Sequence, residues 1–335
     1  MVTISQVAKE AGVSVATVSR VLNGSNTVKE ETARKVMETI RRLKYVPNQT
    51  ARNFRRNETK TILVLLPNIT NQYYANVFDG LNTAAQASGY NIFLSTTRGR
   101  SQKEELQKVI ERKQADGAVL LAVRRDERWV DEYKGRFPIV QCCEFAENCS
   151  TPHVSVDNYQ AAYKATKYLV DLGRRKIGMI GSTNNFISTL RRRQGYEDAL
   201  RDSSVALREE WIGFMDDSYS YSSALVAAKQ LLSQPQRPDA LFCVGDECAF
   251  GVTVTARSLG IRVPEELSVI GFDGIIYTTM EHPYITSVVQ PCKELGHTAI
   301  KLLLTLLQGE QPENPEVILP YSISVRESTC AIAEK

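Results

Sequence analysis

The sequence predicts an α/β protein in two parts: a small three-helix head containing a helix-turn-helix, and a larger body of two lobes built on two parallel sheets. Three observations predict it. Up to about Leu43 the apolar residues recur at helical spacing and no strand-like run occurs. From about residue 58 short apolar runs alternate with helical stretches. Charge divides at the same place. Residues 1–60 hold twelve Lys and Arg against five Asp and Glu, a net of +7, while the 335-residue chain carries +3, so the remainder carries −4.

In the head, Thr3 followed by Gln6 reads as a capping box that starts a first helix. Val7, Ala8 and Ala11 form its apolar stripe, Gly12 supplies a turn residue tolerant of positive φ, and Ser14 caps the next helix. Val18, Val21 and Leu22 give the second helix a buried face. Its other face carries Val15, Ala16, Thr17, Ser19 and Arg20, small side chains with one long cation. Such a helix can approach base edges closely and still hydrogen-bond. A third helix is expected over Glu30–Leu43, with Val36, Ile40 and Leu43 closing the core, and Val46-Pro47 ends it. The basic charge on this head suits phosphate binding by counterion release.

In the body, strands are expected at Thr61–Leu66, Asn91–Ser95, Gly117–Ala122, Pro138–Cys142 and Val154–Asp157, with helices such as Ala75–Ser88 and Lys103–Lys113 between them. A second set follows at Lys176–Gly181, Ala240–Val244, Leu267–Asp273 and Ile285–Val289. There are too many units for one sheet, so two lobes are expected, with a ligand crevice at the carboxyl ends of the strands. Composition is that of a globular protein, 43% hydrophobic and 24% charged. No apolar run approaches the roughly 18 residues of a membrane span, and no signal-peptide pattern is present, so a cytoplasmic protein without membrane contact is expected. Seven scattered cysteines suggest free thiols, and neither a metal site nor a cofactor is expected. His153, His282 and His297 form no catalytic pattern, so an enzyme is not expected. A periplasmic solute-binding protein would explain the body but not the basic head.

The motifs resemble those of the lactose-repressor (LacI/GalR) family of bacterial transcription regulators. The residues are Thr3-Ile4, Val7-Ala8, Ala11-Gly12-Val13-Ser14 and Thr17-Val18-Ser19-Arg20-Val21-Leu22-Asn23, then Tyr45, Pro47-Asn48 and Ala51-Arg52. Later matches are Val156-Asp157-Asn158, Arg192 with Gly195-Tyr196, Gly245-Asp246-Glu247, Val269–Asp273 and Thr286–Pro291, so the resemblance runs from about residue 3 to about residue 328. It implies a head over 1–46, a hinge helix and linker over 47–59, and a periplasmic-binding-protein-like body over 60–335. The N-lobe would take about 60–158 and 290–320, the C-lobe about 159–289 and 321–335. It further implies a homodimer on a palindromic double-stranded operator, and the chain stops too soon after Glu327 for a tetramerising heptad tail.

By this resemblance the DNA-facing residues are Thr3, Ser14, Val15, Ala16, Thr17, Ser19, Arg20 and Asn23 in the head and Asn48, Ala51, Arg52, Phe54 and Arg55 in the hinge. Val15 and Ala16 face base edges, where they can touch a thymine methyl. Arg20 carries the hydrogen-bonding readout to a guanine, and Thr17, Ser19 and Asn23 hold phosphates. Phe54 stands where the family usually places a leucine wedge. Two readings of it stay open: insertion between base pairs, or packing of hinge against hinge or against the body.

The resemblance also brings Tyr73, Tyr74, Ser188, Arg192, Tyr219 and Asp273 to the crevice, with Asn184 and Asn185 nearby. Aromatic faces beside an Arg and an Asp suit a polyhydroxylated ligand, so the expected effector is a sugar, with a sugar phosphate or nucleobase as the alternative. Arg192 lies in an Arg191–Arg193 run that also reads as a solvated or salt-bridged face, and Tyr219 also reads as packing. Asp246 reads as a helix N-cap, and Asp157 is open between a strand-end structural bond and the pocket rim.

Overall fold

A computed structural model describes residues 2–22, 27–45, 58–97, 101–217 and 219–330. The chain divides into two compact units, Met1–Thr59 and Lys60–Lys335. Asn23 and the hinge residues Asn48, Ala51, Arg52, Phe54 and Arg55 lie outside the described residues.

The first unit contains α1 (Ile4–Ala11), α2 (Val15–Leu22) and α3 (Glu30–Arg42). The capping box forms as the spacing requires: Thr3 and Gln6 cap each other reciprocally, and Gly12 ends α1 in the left-handed region at φ 68°. Val7, Ala8, Ala11, Val18, Val36 and Ile40 are buried together, with Val21, Leu22, Leu43 and Tyr45 against them. A surface ion pair, Arg42 to Glu10 at 2.7 Å, ties α3 to α1.

In the second unit, β1 (Thr61–Leu66), β2 (Asn91–Thr96), β3 (Gly117–Leu120), β4 (Ile139–Cys142) and β5 (His153–Val156) alternate with α4 (Gln72–Ala87) and α5 (Gln102–Glu111). Then come α6 (Asn158–Asp171), β6 (Ile177–Ser182), α7 (Ile187–Asp202), β7 (Ile212–Met215), α8 (Tyr221–Leu232), β8 (Ala240–Cys243), α9 (Asp246–Ser258), β9 (Ser268–Asp273) and β10 (Thr286–Val289). The chain closes with α10 (Cys292–Leu307), β11 (Glu316–Leu319) and β12 (Ser322–Ser324).

These strands form two six-stranded sheets, β11-β5-β4-β3-β1-β2 and β12-β10-β9-β8-β6-β7. The first is parallel throughout, and the second is parallel except where β12 pairs antiparallel to β10. The interior strands are buried on both faces, as in β1, where Ile62, Leu63, Val64, Leu65 and Leu66 are at most 1% exposed. Each sheet reverses its strand order once, between β1 and β3 or between β6 and β8, and such reversals open a crevice at the strand carboxyl ends.

Two helix contacts are close enough to require glycine. A Cβ on Gly195 in α7 would lie 2.3 Å from the Tyr159 carbonyl oxygen of α6, and one on Gly80 in α4 would lie 2.2 Å from the Lys293 carbonyl oxygen of α10. Next to Gly195, Tyr196 is fully buried and donates its hydroxyl to the Ile177 carbonyl at 2.8 Å. That bond anchors α7, the helix that carries Ser188 and Arg192, to β6.

Candidate nucleic-acid interface and effector site

In the head, α2 presents Val15, Ala16 and Arg20 as exposed side chains, with Thr17 and Ser19 half-buried. Ser14 caps the helix, accepting from the Thr17 N–H at 3.1 Å, and the two hydroxyl oxygens are 2.9 Å apart. Thr3 and Ser14 therefore have a structural task as caps. The exposed row is apolar at its start and cationic at Arg20, the one charged side chain of α2.

In the body, one pocket at the strand carboxyl ends gathers Tyr73, Tyr74, Ser188, Arg192, Tyr219 and Asp273, all six residues expected there. The two tyrosines come from the first turn of α4, where Asn71 caps the helix through the N–H groups of Tyr73 and Tyr74. Ser188 and Arg192 come from α7, and Asp273 from the end of β9. Asp273 sits at φ 113°, a conformation that side-chain-bearing residues seldom adopt, and Gly274 follows at φ 74°.

Arg192 is the centre of the pocket and is 6% exposed. Its Nε donates to Asn158 Oδ1 at 2.9 Å, and its Nη1 donates to the Val244 carbonyl at 2.6 Å and stands 3.8 Å from Asp273 Oδ1. Its neighbours point elsewhere: Arg191 pairs with Glu147, and Arg193 with Glu197 and Glu209. The run of three arginines thus splits into one buried cation and two at the surface. Gln290 bridges the lobes, accepting from the Tyr73 hydroxyl at 3.2 Å and donating to Asp273 at 2.8 Å. Burial raises the Asp273 carboxyl to about 6, against the opposing pull of Arg192.

Three acidic or polar lining residues were not foreseen: Asn71, Glu144 and Glu247. Glu144 follows β4 in the N-lobe, and its carboxylate accepts the Ser188 N–H of the C-lobe at 3.1 Å and the Ser188 hydroxyl. Burial pushes its carboxyl up to about 7, although Ser188 and Arg192 pull the other way. The signal that would have found it is its place, an acid two residues beyond the end of a parallel strand.

Asp246 corrects an expectation. Gly245 is the N-cap, and Asp246 is the first residue of α9, fully buried. It accepts from Ser287 Oγ at 2.6 Å and from the Ile275 N–H at 2.8 Å, fastening the turn after β9 behind the pocket. Gly245 leaves that wall open, since a Cβ there would come 3.3 Å from Asp273 Oδ2. Asp157 takes the structural alternative, capping α6 through the Gln160 N–H at 2.9 Å. Tyr219 lines the pocket while its hydroxyl bonds Thr189 Oγ1 at 2.8 Å, so packing and lining coincide in it. Asn185 reaches the other lobe instead, accepting from Arg125 Nε at 2.7 Å.

The inner pocket has about 40 Å³ of free space, room for a few waters at most. It shares Asn71, Tyr74 and Tyr219 with a wider crevice of about 920 Å³, which Asn68, Thr70, Arg124, Glu127, Asn184 and Asp217 also line. There the buried Asn184 side-chain nitrogen has no hydrogen-bond partner. A separate hollow of about 270 Å³ at the amino end of β4, lined by Tyr133, Lys134, Arg136 and Pro138, contains none of the expected residues. Among the described residues no group of His, Cys, Asp and Glu is placed to hold a metal, and no helix is long and apolar enough to cross a membrane.

Known proteins share this arrangement. Residues 3–48 match the family model for bacterial regulatory proteins of the lacI family, and residues 166–329 match that for a periplasmic binding protein-like domain. Catabolite control protein A of Priestia megaterium is 38% identical over 331 residues, covering 98% of this chain and 99% of that protein. The transcriptional repressor CytR of Escherichia coli K12 is 34% identical over 332 residues, covering 98% and 97%. Among solved structures, a complex of the transcriptional regulator CelR with cellobiose superposes with a TM-score of 0.73 at 29% identity, covering 98% of this chain and 100% of that one. The lac repressor dimer bound to operator and the anti-inducer ONPF shares the fold, with a TM-score of 0.89 at 23% identity over 98% of this chain and 99% of that one. With a helix-turn-helix head and a two-lobed ligand-binding body matched nearly end to end, this chain belongs to the LacI family of bacterial transcriptional regulators.

Proposed function

We propose that this regulator is a cytoplasmic, homodimeric repressor whose grip on a palindromic operator is set by a small ligand, most simply a sugar, held between the lobes. One observation carries the reading. Tyr73, Tyr74, Ser188, Arg192, Tyr219 and Asp273, scattered along the chain, line a single pocket at the carboxyl ends of both sheets. Tyr73, Tyr74 and Tyr219 offer apolar faces, while Arg192, Asp273 and Ser188 offer a cation, an anion and a hydroxyl, the mixture a polyhydroxylated ring needs. The pairing of the related CelR with cellobiose supports a sugar. A ligand larger than a few waters must move the lobes apart at the inner pocket, and that movement is the means of control. The ligand acts only through its differential affinity for the two lobe arrangements.

Val15, Ala16 and Arg20 read the operator bases, Thr17, Ser19 and Asn23 hold its phosphates, and Thr3, Ser14 and the hinge residues complete the DNA-facing set. Dimerisation is supported by an apolar surface on the C-lobe. Ring contacts run from Tyr221 to Phe250 and on to Tyr277, and Ile276 and Met280 beside them are exposed. The test is selection of operator DNA from a random pool, followed by titration with and without a panel of carbohydrates. A palindromic winner whose affinity moves with one sugar is expected, and absence of any sequence preference would overturn the reading.

A further inference from the structure

The crevice already contains a group that behaves as a ligand would. Glu144 stands on the N-lobe and is 6% exposed, and Ser188, its partner on the C-lobe, is 2% exposed. Helix α7 has no side-chain cap of its own, because its N-cap residue Phe186 makes no capping hydrogen bond. The Glu144 carboxylate supplies that cap from the other lobe, through the Ser188 N–H at 3.1 Å and the Ser188 hydroxyl. One turn further along, the Arg192 guanidinium favours the same carboxylate. A helix-start N–H, a hydroxyl and a buried cation are the donor set that holds bound anions.

We propose that Glu144 is a built-in occupant of the crevice and its specificity-determining residue: it fills the anion position at the start of α7, so the effector is an uncharged compound rich in N–H or O–H donors, and phosphorylated compounds are excluded. The proposal rests on reading the crevice as the effector site. The remaining charges agree with it. Arg192 is the one cation among the described residues lining the inner pocket, against Glu144, Glu247 and Asp273. Its Nε and Nη1 already face Asn158, Val244 and Asp273, which leaves Nη2 as the nitrogen available to a ligand. A phosphate would meet three acidic side chains against a single cation, whereas a polyol or a base edge finds acceptors in Glu144 and Asp273. Displacing Glu144 also uncaps α7, which couples ligand entry to the contact joining the lobes.

The test uses the full chain and needs no knowledge of the natural effector. Amide hydrogen exchange is followed over residues 183–190 in the wild type, Glu144→Ala and Glu144→Gln, with sodium acetate and with sodium chloride at equal ionic strength. In Glu144→Ala the segment is expected to exchange about tenfold faster, with acetate restoring protection and chloride failing to do so. Glu144→Gln keeps an acceptor oxygen and falls between the two, so it carries the test if the alanine variant does not fold. In the same preparations, inorganic phosphate and ribose 5-phosphate are expected to raise the melting temperature of Glu144→Ala and leave the wild type unmoved. Equal exchange in wild type and variants, equal effects of acetate and chloride, or equal stabilisation of the wild type by the phosphates would each overturn it. Failure of the effector-site reading is seen separately, as operator affinity that ignores every compound the crevice binds.

Discussion

The guanidinium carbon of Arg192 lies 3.6 Å from the centroid of the Phe272 ring, so the cation that faces the crevice is backed by a core aromatic. Phe272 itself is fully buried, which fixes Arg192 from behind while Asn158 and Val244 hold it from the sides. Lysine cannot reproduce this, because it lacks both the planar face and the forked donors. Arg192→Lys is expected to fold with a lower Tm and to bind operator without responding to ligand. Arg192→Met leaves Asp273 without its cation and is expected to cost about 3–5 kcal/mol, the penalty for breaking a buried pair. Chemical denaturation and an operator titration check both.

The buried Glu144 carboxyl gives stability a particular pH dependence. The folded protein keeps that proton to about pH 7, while the unfolded chain releases it near the ordinary 4.5. Between those values the folded state binds more protons, so this group's stabilisation is complete at the low end and is lost as pH rises to about 7. Glu144→Gln removes the titration. The stability difference between wild type and variant is expected to move in that direction by up to about 3 kcal/mol across the window, measured by urea unfolding at each pH.

Gly195 is expected to tolerate no side chain. Because a Cβ would press into the Tyr159 carbonyl, Gly195→Ala must push α7 off α6, at about 1–3 kcal/mol. Since α7 carries Ser188 and Arg192, ligand response should fall further than the thermal shift alone implies. A melting curve beside a ligand titration separates the two effects.

On the DNA side, Arg20→Ala is expected to cost about 1–3 kcal/mol in operator affinity and to relax the preference at one base pair in each half-site. Selection from a random pool, repeated with the variant, reads out the position. A uniform loss at all positions would instead identify Arg20 as a phosphate contact.

Phe54→Ala is expected to reduce both operator affinity and the bend angle of the DNA if the ring inserts between base pairs. Retention of both by gel-shift and circular-permutation assays would leave packing as its role.

Much of the fold was legible because most strands are interior ones. All nine expected strands are present, and the three that were missed, β7, β11 and β12, are edge strands. Edge strands bury less and so carry a weaker apolar signal: β11 alternates between exposed and half-buried positions, and β12 has no buried residue. The caps and turn of the head were legible because they depend on local chemistry, Thr3 with Gln6, Gly12 and Ser14. The place of Asp246 was not, because its partners Ser287 and Ile275 are distant in sequence. Glu144 was hidden for a similar reason, since its meaning depends on a serine 44 residues away.

The way the chain threads the lobes bears on how the protein is made. It passes from the first sheet to the second after β5, returns after β10, and crosses again between β11 and β12. While a ribosome is still translating, β5 and β10 therefore lack the neighbours that will cover their outer edges until residues 316–324 emerge. The head is contiguous and has its own core, so it can finish long before. A nascent chain thus carries a completed DNA-reading module on a sensor still waiting for its last strands.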